Sequence, residues 1–237
     1  MATNTLSPTS QVSARRTTVF LKLLMALSGA LFVLYVLLHM YGNLKIFGGV
    51  APFDAYAHHL RTMLTPILPF GGLLWIVRAL LVIAVVAHVY AAFVLWGRAN
   101  GARSTRYVAK AAAKASIRTE WMRWGGVAIF LFVIWHLLQF TWLKFNVGTL
   151  TAGGSPGMLL ISSFQVWWVT LIYLLALVAL GLHLWHGVWS AAQTLGWTNS
   201  AKARATAKAT AGVLALVIAV GFALPPLAIL FRIVKGN

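Results

Sequence analysis

The chain has 237 residues, 61% of them hydrophobic and 9% charged, with a mean hydropathy of +0.86. A soluble domain carries roughly 25% charged residues, so this composition excludes an ordinary cytosolic globule, and it is far too apolar for a disordered chain. Lys and Arg number 19 against 2 acidic residues, a formal charge of +17. A nucleic-acid binder would carry such a balance but would not be hydrophobic over most of its length; a membrane protein with basic connections accounts for both figures, and no nucleic-acid partner is expected. Cys is absent, which excludes disulfides, thiolate ligands from this chain and haem attached through C-x-x-C-H. With Asp54 and Glu120 as the two carboxylates, paired acid–base chemistry is nearly excluded.

A spanning helix needs about 20 mostly apolar residues, because the hydrocarbon core is about 30 Å thick and a helix rises about 1.5 Å per residue. Five segments qualify, near 19–41, 70–97, 123–145, 163–195 and 209–232, which predicts an all-α integral membrane protein forming a single domain. The fourth is long enough to tilt or to project from the bilayer. The polar stretch before the first span makes that span a retained helix rather than a signal peptide. Basic residues set the orientation. Arg15, Arg16 and Lys22 at the start, Arg98, Arg103, Arg106, Lys110, Lys114, Arg118 and Arg123 around the second connection, and Lys202, Arg204 and Lys208 in the fourth gather on one side. Lys45, Arg61, Lys144, Arg232 and Lys235 gather on the other, and Arg78 falls within a span. The first group is expected to face the cytoplasm, with the N-terminus inside and the C-terminus outside a cell membrane. Residues 52–64 read as a short amphipathic helix on the outer surface. Residues 99–119 read as a basic cytoplasmic helix or loop, suited to anionic membrane lipids or to docking a cytoplasmic partner.

Ionisable residues inside a membrane are costly and mark functional sites. Five of the seven His fall in the predicted spans: His39, His88, His136, His183 and His186. Each of the first four spans carries at least one and the fifth carries none. A neutral imidazole in hydrocarbon needs a partner for both nitrogens, which a haem iron on one and a carbonyl or hydroxyl on the other would supply. His88 and His183 each lie about 6 Å inward of the middle of their spans. His39 lies near the outer end of its span and His136 slightly outward of the middle, a difference of about 9 Å by these boundaries. The expectation is two bis-His b-type haems stacked in a bundle of the first four helices. His183 and His186 are three apart on one helix face, so one is a ligand and the other a hydrogen-bond or propionate partner. His58 and His59 lie at the outer surface, either as solvated residues or as part of a quinone site. Trp135, Trp185 and Trp189 are candidates to line a cofactor.

With these residues in view, four stretches resemble the cytochrome b membrane subunit of succinate dehydrogenase and fumarate reductase, of the single-subunit, five-helix, di-haem type. They are K-L-L-M-A-L-S-G at 22–29, H-M-Y-G-N at 39–43, H-V-Y-A-A-F-V-L-W-G-R-A-N-G-A-R at 88–103 and, most specifically, H-L-W-H-G-V-W-S-A-A-Q-T-L-G at 183–196. The resemblance implies a membrane anchor for cytoplasmic flavoprotein and iron–sulfur subunits, a subunit of the enzyme that does not itself oxidise succinate. Electrons would pass through it between those subunits and menaquinone or another quinone. It implies His88 and His183 on the inner haem, His39 and His136 on the outer one, and His183 rather than His186 as the last ligand. Where the family offers carboxylates for proton movement this chain has His58, His59 and Arg61 in one region and Gly181 and Leu184 in the other. Two other readings stay open: a haem-poor anchor whose His face a Rieske-type iron–sulfur cluster with Cys from a partner, and the cytochrome b subunit of another respiratory dehydrogenase.

Overall fold

A computed structural model describes residues 17–101, 111–143, 147 and 154–236, residues 111–119 by backbone alone. Arg15, Arg16, Arg103, Arg106, Lys110 and Lys144 lie outside the described residues. The described residues form seven α-helices and one 3-10 turn, with no strand among them. Helix α1 is Thr18–Leu44, followed by the 3-10 turn Lys45–Gly48; α2 is Val50–Thr62, α3 Gly72–Gly101, α4 Ala111–Phe140, α5 Pro156–Phe164, α6 Trp167–Thr194 and α7 Ala201–Leu230. Five of them, α1, α3, α4 (from Glu120), α6 and α7, are long and apolar enough to cross a membrane. The chain is an all-α, multi-pass membrane protein.

Local chemistry sets the helix ends. Thr17, Ser155 and Ser200 each place a side-chain oxygen on a backbone N–H three residues on, at Phe20, Met158 and Ala203, and so cap α1, α5 and α7. Helix α3 runs four residues past its predicted span and α7 begins eight before its own, and two further differences change the architecture. The segment 163–195 is not one helix. Val166 takes an extended backbone between α5 and α6, and Thr170 Oγ1 donates to the Phe164 carbonyl at 2.9 Å, satisfying an acceptor left by the end of α5. The segment 123–145 ends early: the amides of Thr141 and Trp142 both donate to the Leu137 carbonyl, and Leu143 turns the chain away at φ +50°. Both changes follow from side-chain and turn hydrogen bonds that hydropathy does not register.

Helix α1 packs on α3, α4 on α6, and α1 also on α6 and α7. Among the described residues, α1 and α4 are not close-packed on each other, nor are α3 and α6, and packing of α1 on α6 joins the α1–α3 and α4–α6 pairs. The fifth span is not a bystander: Gly221 of α7 lets Met40 of α1 seat against it, and Phe222 lies 5.6 Å from the His39 ring. On the side away from this packing, Leu27, Leu34 and Leu38 of α1 stay exposed, as a lipid-facing stripe should.

At the end of the bundle where α1 finishes, called the outer end after the orientation expected from the basic residues, α2 and α5 form a cap. Asp54 Oδ1 of α2 accepts from the Gly157 amide at 2.7 Å, so its carboxylate sits at the N-terminus of α5, where the helix dipole favours it. A Cβ on Gly157 would lie 3.1 Å from Val50 and 3.2 Å from Asp54; glycine is what allows this approach. Lys45 lies over the Tyr41 ring at 4.4 Å, beside Tyr56. At the other end Arg98 donates to Thr18 and Arg123 to Asn100, and Lys208 lies over Trp189 at 5.0 Å.

Candidate functional site: two facing histidine pairs

Four of the five intramembrane histidines meet in two pairs, each joining two helices. His39 of α1 faces His136 of α4 with ring centres 5.8 Å apart. His88 of α3 faces His183 of α6 with ring centres 6.2 Å apart. A metal–imidazole bond is about 2.0–2.1 Å and the ring centre sits about 1.1 Å behind the bonding nitrogen, so two imidazoles on one metal hold their centres about 6.2 Å apart. The inner pair has that spacing and the outer pair is 0.4 Å closer, and each joins two helices that are not packed on each other.

The outer pair is level, against the offset of about 9 Å computed from hydropathy. The cause is the early end of α4. His136 is four residues from Phe140 and His39 five from Leu44, so the two lie about 6 and 7.5 Å from their helix ends. The axial distance between the pairs can be counted on three helices. Ser28, which touches His88, precedes His39 by 11 residues on α1; Gly126, which backs His183, precedes His136 by 10 on α4; Tyr173, which touches His136, precedes His183 by 10 on α6. All three give about 15–17 Å at 1.5 Å per residue.

Hydrogen-bond bookkeeping assigns a tautomer to His136. The Trp135 indole N–H can only donate, and it donates to Gln139 Oε1 at 3.1 Å. That atom is therefore the amide oxygen, and the Tyr173 hydroxyl donates to it as well, at 3.0 Å. With its one proton committed, the Tyr173 oxygen accepts at 3.2 Å from His136 Nδ1–H. The His136 Nε2 lone pair is then bare, the form that binds metal. His88 follows the same logic: the Ser28 hydroxyl proton goes to the Leu24 carbonyl at 2.7 Å, and its oxygen, 3.0 Å from His88 Nδ1, accepts from that nitrogen.

The other two ligand candidates are held differently. His39 is stacked on Tyr35 at 5.5 Å and 10° and is flanked by Phe222. His183 Nδ1 is buried with no hydrogen-bond partner, and a methyl group at Gly126 would lie 3.4 Å from its Cε1. Likewise a methyl at Gly29 would lie 3.7 Å from His88. Two facing imidazole pairs, a glycine behind each inner ring and an orphaned ring nitrogen on His183 are a donor set of the kind that holds a haem iron.

His186 lies one turn beyond His183 on α6, and it is the His183 ring that meets His88. His58 and His59 are exposed on α2, His58 against Phe70 at 6.1 Å, and Arg61 donates to the Ala57 carbonyl of its own helix. Among the described residues none of these three packs on the outer pair. Of the tryptophans, Trp135 joins the outer network while Trp189 lies under Lys208. Sequence reasoning missed Ser28, Gln139, Tyr173, Gly29, Gly126 and Phe222. The usable signal was a polar residue one helical turn from a histidine in a span, as with Gln139 after His136. Compared with known proteins, the chain matches no family model, no curated sequence and no solved structure.

Proposed function

We propose that this chain is the membrane-anchoring cytochrome b subunit of a succinate:quinone oxidoreductase in a cell membrane, carrying electrons between an iron–sulfur subunit and quinone. The observation that carries the cofactor part is the two histidine pairs, 5.8 and 6.2 Å between ring centres, at two depths in a bundle of apolar helices. On this reading His88 and His183 hold the inner b haem and His39 and His136 the outer one, and haem supplies the one-electron chemistry. The protein's own part is to present bare Nε2 atoms, exclude water and keep the two sites in line. The partner and substrate rest on the motif resemblance at 22–29, 39–43, 88–103 and 183–196. The excess of basic residues at the inner end, with the N-terminus cytoplasmic, supports a docking face there for flavoprotein and iron–sulfur subunits, and anionic lipids suit the same charge.

The test is to purify the chain from its native membrane with whatever stays bound. A flavoprotein and an iron–sulfur protein are expected in the preparation, with b-haem bands reduced by succinate. Haem reduced by formate or hydrogen instead would assign the chain to another respiratory dehydrogenase. Acid-labile sulfide beyond that of the soluble subunit, without haem, would assign the histidines to a Rieske-type cluster.

A further inference from the structure

Gln139 is fully buried on α4, its amide oxygen accepting from two donors, Trp135 and Tyr173, while its amide nitrogen has no hydrogen-bond partner among the described residues. Its amide oxygen is the group that takes the Tyr173 proton. Without it, the Tyr173 hydroxyl is free to turn and donate to His136 Nδ1. That would place the ring proton on Nε2, the nitrogen that faces a metal. On the inner pair Ser28, its proton on the Leu24 carbonyl, accepts from His88 Nδ1 directly with no third residue behind it, and His183 Nδ1 has no partner.

We infer that Gln139 and Tyr173 are positioning residues for the outer pair, locking His136 in its Nδ1–H form and so keeping its Nε2 lone pair free and electron-donating. The inference rests on the di-haem reading. A histidine whose second N–H donates to an acceptor is a more basic ligand, and a more basic axial ligand favours ferric over ferrous iron, lowering the outer potential. Tyr173→Phe removes the acceptor. Gln139→Met removes the proton sink while keeping the side-chain length, so that Tyr173 becomes a competing donor.

The experiment is a redox titration of the purified complex with optical and EPR detection, the outer haem being identified by its loss in His39→Ala. Both variants are expected to raise the outer potential and move its low-spin EPR signal, with the inner haem unmoved. A tenfold change in the ferric-to-ferrous binding ratio would read as about 59 mV for a one-electron couple. Gln139→Met is expected to lose part of the outer haem as well, and Tyr173→Phe to keep it. Two haems with an unmoved outer potential in both variants would overturn the inference while leaving the di-haem reading intact. A parallel shift of both haems would do the same, marking a general structural effect. Absence of haem from the unsubstituted protein would overturn both.

Discussion

The two histidine pairs are close in spacing but differ in construction. The inner pair is built from close approach: Gly29 and Gly126 leave bare backbone behind the rings, and Ser28 gives His88 a single acceptor. The outer pair is built from side chains, with Tyr35 stacked on His39, Phe132, Phe140 and Tyr173 around His136, and a three-residue relay behind it. The outer pair also draws on the fifth span through Phe222, and on α5 through Phe164, which packs on Phe140 and Tyr173. One site is therefore sensitive to added bulk and the other to lost hydrogen bonds. Equal ligand sets can be given different electronic character in this way, because outer partners tune a metal as well as orient its ligands.

The largest expected effect tests whether the pairs are independent. His183→Ala or His88→Ala should remove the inner haem, half of the total, and leave the outer spectrum in place; loss of both haems, or of neither, would break the pairing. Next, Gly126→Val adds branched bulk 3.4 Å from the His183 ring and should also lose the inner haem, with the outer one retained. The same change at Gly125, whose Cβ would meet nothing within 4 Å, is expected to leave haem content unchanged. Smaller again, Tyr173→Phe orphans His136 Nδ1–H and should cost about 1–3 kcal/mol of stability, read as a lower melting temperature of the detergent-solubilised protein. Asp54→Ala removes the carboxylate from the α5 N-terminus and should cost about 1 kcal/mol, with the haem spectrum unaltered. Smallest of all, His186→Ala should keep both haems, and full loss of the inner one would move that ligand by a turn.

Much of the architecture was legible because burial in lipid constrains sequence strongly: the backbone must satisfy itself, so spans appear as long apolar runs. Intramembrane His are rare enough that their appearance on four successive spans carried the pairing. What could not be read is what depends on where chains end and touch. The break at Val166 hangs on one Thr170 hydroxyl, and the end of α4 on two amides sharing the Leu137 carbonyl. Those few residues decided whether His136 was level with His39. The Trp135–Gln139–Tyr173 relay joins α4 to α6 over 34 residues of sequence, and no local pattern announces it. Asp54 could be seen as a rare carboxylate, but its use as the cap of a helix about 100 residues on could not.

The most direct test of the account is a pyridine haemochrome assay on the purified complex, with iron and acid-labile sulfide counted on the same sample. The account predicts two b haems per copy of this chain, falling to one in His183→Ala and to one, of the other spectrum, in His39→Ala. No haem in the unsubstituted protein, or a haem count unmoved by either substitution, would contradict it.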